Sequence, residues 1–232
     1  MRKLVSALIL FSLIAGTATA QPWYARGDYN GWDISEQMVD QGGGHYTKTI
    51  NGLTAGTGYE YKIADENWTA NAPGSNGKVP ADANGEINYH FWEADSWADG
   101  WEPSAKMRVG YNDHGLFDWE VIGAMNGWSG GASWYLTDQG SGLHTRQFVL
   151  DAGTYEWKFR QQDDWAYAIG DDFGNSAANN SITVASDGDL WEFTLDLPNG
   201  RWQAVFIPEP ATLGLFCLGG IALVLLRRRL RA

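Results

Sequence analysis

The chain carries one sequence pattern twice, about 96 residues apart. Tyr24-Ala25-Arg26-Gly27-Asp28-Tyr29-Asn30-Gly31-Trp32 lies in register with Glu120-Val121-Ile122-Gly123-Ala124-Met125-Asn126-Gly127-Trp128. Tyr59-Glu60-Tyr61-Lys62-Ile63 repeats as Tyr155-Glu156-Trp157-Lys158-Phe159 at the same offset, and Trp68 repeats as Trp165 at 97. A looser match pairs Val79–Gly85 with Ile182–Gly188 at about 103. Landmarks in one order with small length changes mean a tandem duplication, and a period this long means two small units rather than a solenoid. The spacing places the first unit at residues 21–111 and the second at 112–207, with a short join between Pro103 and Asp118.

Each copy reads as β. Tyr59, Tyr61 and Ile63 alternate with Glu60, Lys62 and Ala64, and Tyr155, Trp157 and Phe159 alternate with Glu156, Lys158 and Arg160. A period of two gives a strand one buried and one wet face. Asn30-Gly31 and Asn126-Gly127 are tight-turn signals. Thr47–Ile50, Ile87–Phe91, Met107–Val109, Arg146–Leu150 and Leu190–Leu195 read as further short strands between Gly- and Asp-rich turns. No stretch between the ends has a helical period. The expected fold is all-β, as two tandem immunoglobulin-like antiparallel sandwiches.

The ends of the chain read differently. Arg2 and Lys3 precede the apolar run Leu4–Ala15, and Ala18-Thr19-Ala20 supplies small residues for signal peptidase. Residues 1–20 therefore read as a secretory signal peptide, cleaved between Ala20 and Gln21. At the other end, residues 208–232 hold Pro208-Glu209-Pro210, sixteen residues without a charge (Ala211–Leu226) and the cluster Arg227, Arg228, Arg229 and Arg231. Sixteen helical residues cover about 24 Å, close to a hydrocarbon core of roughly 30 Å. This is a transmembrane helix with its arginines on the cytoplasmic side, which leaves residues 21–207 outside the inner membrane.

With those ends set aside, residues 21–207 carry 10 basic and 27 acidic residues, a net charge of −17. Such a surface repels phosphate backbones and excludes nucleic-acid binding as a function. The lone Cys217 lies in the apolar tail, so no intramolecular disulfide and no cysteine-based zinc site can form. The four histidines (His45, His90, His114, His144) lack metal-ligand spacing, and no metal or cofactor is expected. All 13 Trp fall between Trp23 and Trp202.

The repeat preserves more than a core requires. A Trp follows the Asn-Gly turn in both copies (Trp32, Trp128), and a second follows an acidic turn after the alternating strand (Trp68, Trp165). A Lys stands on the wet face of that strand (Lys62, Lys158). Flat aromatic faces beside a few polar groups hold a neutral sugar by stacking on its C–H face while hydrogen bonds take the hydroxyls. The competing assignment is that these Trp are core anchors and the lysines are merely solvated.

Two resemblances add to this. Pro208-Glu209-Pro210, a short apolar helix and a terminal Arg run resemble the PEP-CTERM sorting signal of Gram-negative bacteria. That implies recognition by exosortase, loss of the tail, and delivery to the cell surface or extracellular matrix, as with other C-terminal signals whose tail is removed. The second copy, Gly123-x-x-Asn126-Gly127-Trp128 through Gly153-Thr154-Tyr155-Glu156-Trp157-Lys158-Phe159 to Asp163-Asp164-Trp165, resembles the starch- and glycogen-binding modules. These are carbohydrate-binding module family 48, with the glycogen-binding domain of AMP-activated kinase, and the amylopullulanase modules. The resemblance implies α-1,4-glucan stacking on Trp32 with Trp68 and on Trp128 with Trp165. It also implies hydrogen bonds from Lys62, Lys158 and an Asn beyond the second Trp, a position best matched by Asn76 and Asn179. The first copy departs more, with Ala72-Pro73-Gly74 where the second has Ala168-Ile169-Gly170.

Two other functions compete with glycan binding. Twenty-seven acids leave room for a carboxylate pair of a small β-sandwich glycoside hydrolase, but no catalytic run is recognisable and no catalytic residue is assigned. Exposed aromatics also anchor protein interfaces, which would suit a structural or adhesive matrix protein. Asp163-Asp164 and Asp171-Asp172 are simplest as solvated loop charges, with calcium as the alternative.

Overall fold

The computed structural model describes residues 21–94 and 97–208. The expected signal peptide with Ala20, the bulk of the sorting segment with Glu209 and Pro210, and the transmembrane helix lie outside the described residues. Among those described, no helix is long and apolar enough to cross a membrane.

The fold is all-β. The first copy holds β1 (Tyr24–Gly27), β2 (Val39–Gly42), β3 (His45–Ile50), β4 (Gly58–Ala64), β5 (Asn71–Pro80), β6 (Ile87–Trp92) and β7 (Arg108–Tyr111). The second holds β8 (Trp119–Gly123), β9 (Thr137–Asp138), β10 (Leu143–Leu150), β11 (Gly153–Gln161), β12 (Asp164–Ile169), β13 (Asn180–Val184), β14 (Asp189–Asp196) and β15 (Arg201–Ile207). All pairings are antiparallel, in four small sheets: β1-β4-β5, β2-β3-β6-β7, β8-β11 with β12 and β13 on its far side, and β9-β10-β14-β15.

The alternating strands behave as their pattern dictates. Tyr61 and Ile63 in β4, and Trp157 and Phe159 in β11, are fully buried, while Lys62 and Lys158 reach solvent. Tyr61 meets Tyr89 of the facing sheet at 4.8 Å between centroids, and Trp157 meets Phe193 at 4.9 Å and Trp202 at 5.0 Å. Each copy therefore closes a core between its own two sheets, and burial of these rings is the main stabilising term.

The expectation of two separate immunoglobulin-like sandwiches is corrected. The four sheets follow one another in a propeller-like ring, two from each copy. The reason lies in contacts between the copies. β7 joins the second copy through the Tyr111 N–H, which donates to the Leu197 carbonyl at 3.0 Å. Glu102 and Trp202 exchange two backbone hydrogen bonds at 2.8 and 2.7 Å. On the opposite side β5 packs against β12, and the Lys78 ammonium sits 5.4 Å from the Tyr167 ring centroid. A Cβ on Gly110 would come within 2.5 Å of the Leu197 carbonyl, so that glycine is required for the approach.

Candidate functional site

The Asn-Gly-Trp signature is a local device that stands a Trp off the sheet. The Asn30 side chain accepts from the Gly27 N–H at 3.0 Å and donates to the Ala25 carbonyl at 3.1 Å. Asn126 does the same with Gly123 and Val121, each at 2.9 Å. The next two residues turn left-handed: φ is 65° at Gly31 and 65° at Trp32, and 62° at Gly127 and 60° at Trp128. Glycine adopts that region freely, but a bulky ring there is a strained outlier of about 1–3 kcal/mol, which surrounding bonds must over-determine. They do: Trp32 N–H donates to the Gly27 carbonyl at 2.9 Å and Trp128 N–H to the Gly123 carbonyl at 2.8 Å.

The second Trp of each copy meets the first. Trp32 and Trp68 lie 6.2 Å apart at 40° between planes, and Trp128 and Trp165 lie 6.1 Å apart at 40°. Trp68 is 39% and Trp165 46% exposed, so these rings face solvent rather than the core. Beneath each exposed ring lies a buried guanidinium, Arg26 at 4.5 Å from Trp68 and Arg160 at 4.7 Å from Trp165.

The two arginines come from different strands. Arg26 belongs to β1, and Ile122 occupies its place in the second copy; Arg160 belongs to β11, where the first copy has Ala64. Aligning the copies hides both, which is why sequence reading misses them. Their supports differ as well. Arg26 donates to the carbonyls of Asp65 at 2.6 Å and Glu66 at 2.7 Å. Arg160 pairs with the carboxylate of fully buried Glu120 at 2.6 Å, which also accepts from the N–H groups of Gly131 and Asp163.

Each copy also carries a polar cluster, similar in the two but not identical. Lys62 Nζ donates to the Gly74 carbonyl at 2.5 Å and to Asn71 Oδ1 at 2.9 Å. Lys158 Nζ donates to the Ala177 carbonyl at 2.5 Å. Asn76 donates to Glu60 Oε2 at 2.9 Å, and Asn179 to Glu156 Oε2 at 3.1 Å. The eight expected site residues thus form, in each copy, a Trp pair and a Lys–Asn cluster. Glu60 and Glu156, which sequence reading left as mere wet-face residues, complete them. Strand register puts Lys62 opposite Arg26 and Lys158 opposite Ile122, so each polar cluster shares a sheet face with the arms that carry the rings. Burial lowers both lysines below the usual ammonium range, opposed by Asp172 at Lys62 and by Asp171 and Asp172 at Lys158.

The ends are less informative. Gln21 is exposed and its side chain donates to Asp65 at 2.9 Å; Pro208 is exposed where β15 ends. The structure also gathers what sequence spacing did not: Asp113, Asp138 and His144 bring possible metal-ligand atoms within 4.8 Å of one another. His144 Nε2 lies 2.8 Å from Asp113 Oδ2. Burial raises the Asp113 carboxyl, but hydrogen bonds from His144 and the Gly115 N–H outweigh it and hold the group below its ordinary value.

Residues 206–229 match the PEP-CTERM protein-sorting motif. No curated protein matches the chain. Among solved structures, the pullulanase from Bacillus acidopullulyticus is similar over 81% of this chain and 28% of its own length, at 11% identity and a TM-score of 0.29. The chain therefore spans under a third of that enzyme, and at this score neither fold nor activity carries over. What the matches support is a chain with a PEP-CTERM sorting motif, exported and sorted to the surface of a Gram-negative bacterium.

Proposed function

We propose that this surface-sorted protein binds a neutral polysaccharide, with α-1,4-glucan favoured, by stacking sugars on Trp32 with Trp68 and on Trp128 with Trp165. One observation carries this reading: both ring pairs, each with its outer ring exposed and its inner ring half-buried, hold nearly the same separation and the same 40° angle, although different strands supply the arginine beneath each. The exposed rings of Trp68 and Trp165 lie outside the core, so a common ligand accounts for their common placement better than core packing does. The angled faces suit a curved helical glucan, and the Lys, Asn and Glu beside them offer donors and acceptors to sugar hydroxyls. The proposed role is binding rather than hydrolysis. Signal peptidase and exosortase are its processing enzymes, and the tail holds the chain at the inner membrane before sorting. The strongly acidic surface disfavours an anionic exopolysaccharide as ligand.

The test is native affinity electrophoresis of the full chain, held in a non-glycosidic detergent, through gels containing glycogen, amylopectin, cellulose or xylan. Retardation by the α-glucans alone is expected, and a Trp68→Ala/Trp165→Ala variant with unchanged circular dichroism should lose it. Unretarded migration in every gel would shift the function to protein contacts in a matrix.

A further inference from the structure

We infer that the two ring pairs lie along one continuous path across the junction of the copies, with the 102–107 linker as its floor, and that a single α-glucan chain occupies both. This rests on the glucan reading above and extends it by assigning linker residues to the ligand. Two crevices meet at the linker. One, of about 290 Å³, lies among Asn71, Gly74, Lys106 and Asp172; the other, of about 260 Å³, among Glu102, Lys106, Asp171 and Asn179. Each continues a polar cluster already described, since Asn71 and Gly74 hold the Lys62 ammonium and Asn179 bonds Glu156.

Lys106 forms a wall of both crevices, and its ammonium meets Asp171 at 2.9 Å with both side chains two-fifths exposed. A wet ion pair of this kind contributes about 0–1 kcal/mol, so its members can turn to sugar hydroxyls at little cost. The junction itself is held firmly. Asp172 accepts from the Ser75 N–H at 3.0 Å, and the Asn175 N–H donates to the Asn76 carbonyl at 2.8 Å. Asp172 lines the first crevice and Asp171, beside it in the chain, lines the second, so the two crevices adjoin at this turn. Two sites fixed at a set span gain by effective concentration when one ligand reaches both, by about 10²–10⁴ at best.

Calorimetry on the full chain with linear α-1,4-glucan oligosaccharides of increasing length tests this. Short oligosaccharides should bind two per protein. Past a threshold length the ratio should fall to one, in a complex that light scattering shows to hold a single protein, with affinity rising at least about tenfold. Ala105→Met, at an exposed position that lines both crevices, crowds them with a side chain that offers a sugar neither a hydrogen bond nor a flat face; it should remove most of the gain and leave short-ligand binding unchanged. That retained binding also reports that the variant is folded. Two ligands per protein at every length, cross-linked proteins with long ligands, or an Ala105→Met variant that keeps the full gain would overturn the path while leaving the glucan reading intact. No binding at any length would overturn both.

Discussion

The two copies agree where they face solvent and differ where they face each other. From Trp32 to Lys62 and from Trp128 to Lys158 the offset holds at 96; it is 97 at Trp165 and 103 at Asn179. Six residues have therefore been gained between the second Trp and the Asn of the second copy. In the first copy that path is one uninterrupted strand, β5, whereas in the second it breaks into β12 and β13 with residues 170–179 between. The excursion adds contacts to the first copy: Asp171 to Lys106, Asp172 to Ser75, and Phe173 against Tyr111 at 6.4 Å between centroids. The Trp, Lys and Asn residues of the candidate site are shared, whereas its arginines and the excursion against the first copy are not.

The sharpest way to probe this difference is at the two arginines. Arg160→Ala leaves Glu120 as an unpaired charge with no solvent access, which costs about 3–5 kcal/mol. Arg26→Ala strands only carbonyls and loses charge-assisted hydrogen bonds worth about 1.5–3 kcal/mol. Chemical denaturation should therefore rank Arg160→Ala as the more damaging, although both lie under equivalent Trp rings. Equal losses would mean that the Glu120 pair adds nothing specific to the second copy.

Phe173→Ala attacks the excursion instead. The ring is 2% exposed and sits at φ 67°. Truncating a buried Phe costs about 3–5 kcal/mol, and alanine keeps the Cβ that strains a left-handed backbone, so no strain is relieved in return. The loss falls on the contact between copies, so calorimetry should show one melting transition separating into two. A single transition at lower temperature would mean that the other junction contacts suffice to couple the copies.

How far all this was legible in the sequence follows from the same division. Features written twice could be read: the Asn-Gly-Trp arm, the Tyr-Glu-x-Lys strand, and the Asn residues that end up on Glu60 and Glu156. Arg26 and Arg160 could not, because each interrupts the alignment that made the repeat visible. β5 contains Pro73, Gly74, Gly77 and Pro80, residues that argue against a strand, yet it pairs along β4 because Gly77 leaves room for the Tyr61 ring. The ring of four sheets was hidden for another reason. It depends on contacts far apart in the chain, such as Glu102 with Trp202 and Phe173 with Tyr111, the latter set by a loop whose only signal was its extra length.

Removing the two exposed rings should affect the copies equally and slightly. Trp68→Ala and Trp165→Ala take away partly solvated surface and one cation–π contact each, together about 1 kcal/mol. Near-identical denaturation midpoints for the two variants, beside a loss of glucan binding, would separate ligand contact from folding. A larger loss at Trp68 would show that its left-handed backbone, which Trp165 lacks, is held by the ring itself.

The smallest expected effect is on the acid side of the junction. Asp99, in the loop between β6 and β7, accepts from Arg108 at 2.7 and 3.1 Å, and Arg201 of the second copy approaches it at 3.4 Å. The hydrogen bond from Arg108 is the main reason its carboxyl falls from 3.8 to about 2. A carboxyl lowered on folding stabilises the fold above its ordinary value and loses that contribution as pH falls toward the folded one. The stabilisation is therefore present above about pH 4 and fades toward pH 2. Asp99 is partly exposed, so solvent and salt screen much of it. In denaturation midpoints measured from pH 5 to pH 2, Asp99→Asn should flatten part of the acid decline without altering the spacing of the ring pairs. An unchanged profile would mean that the linker is held to the second copy by its backbone bonds to Trp202 alone.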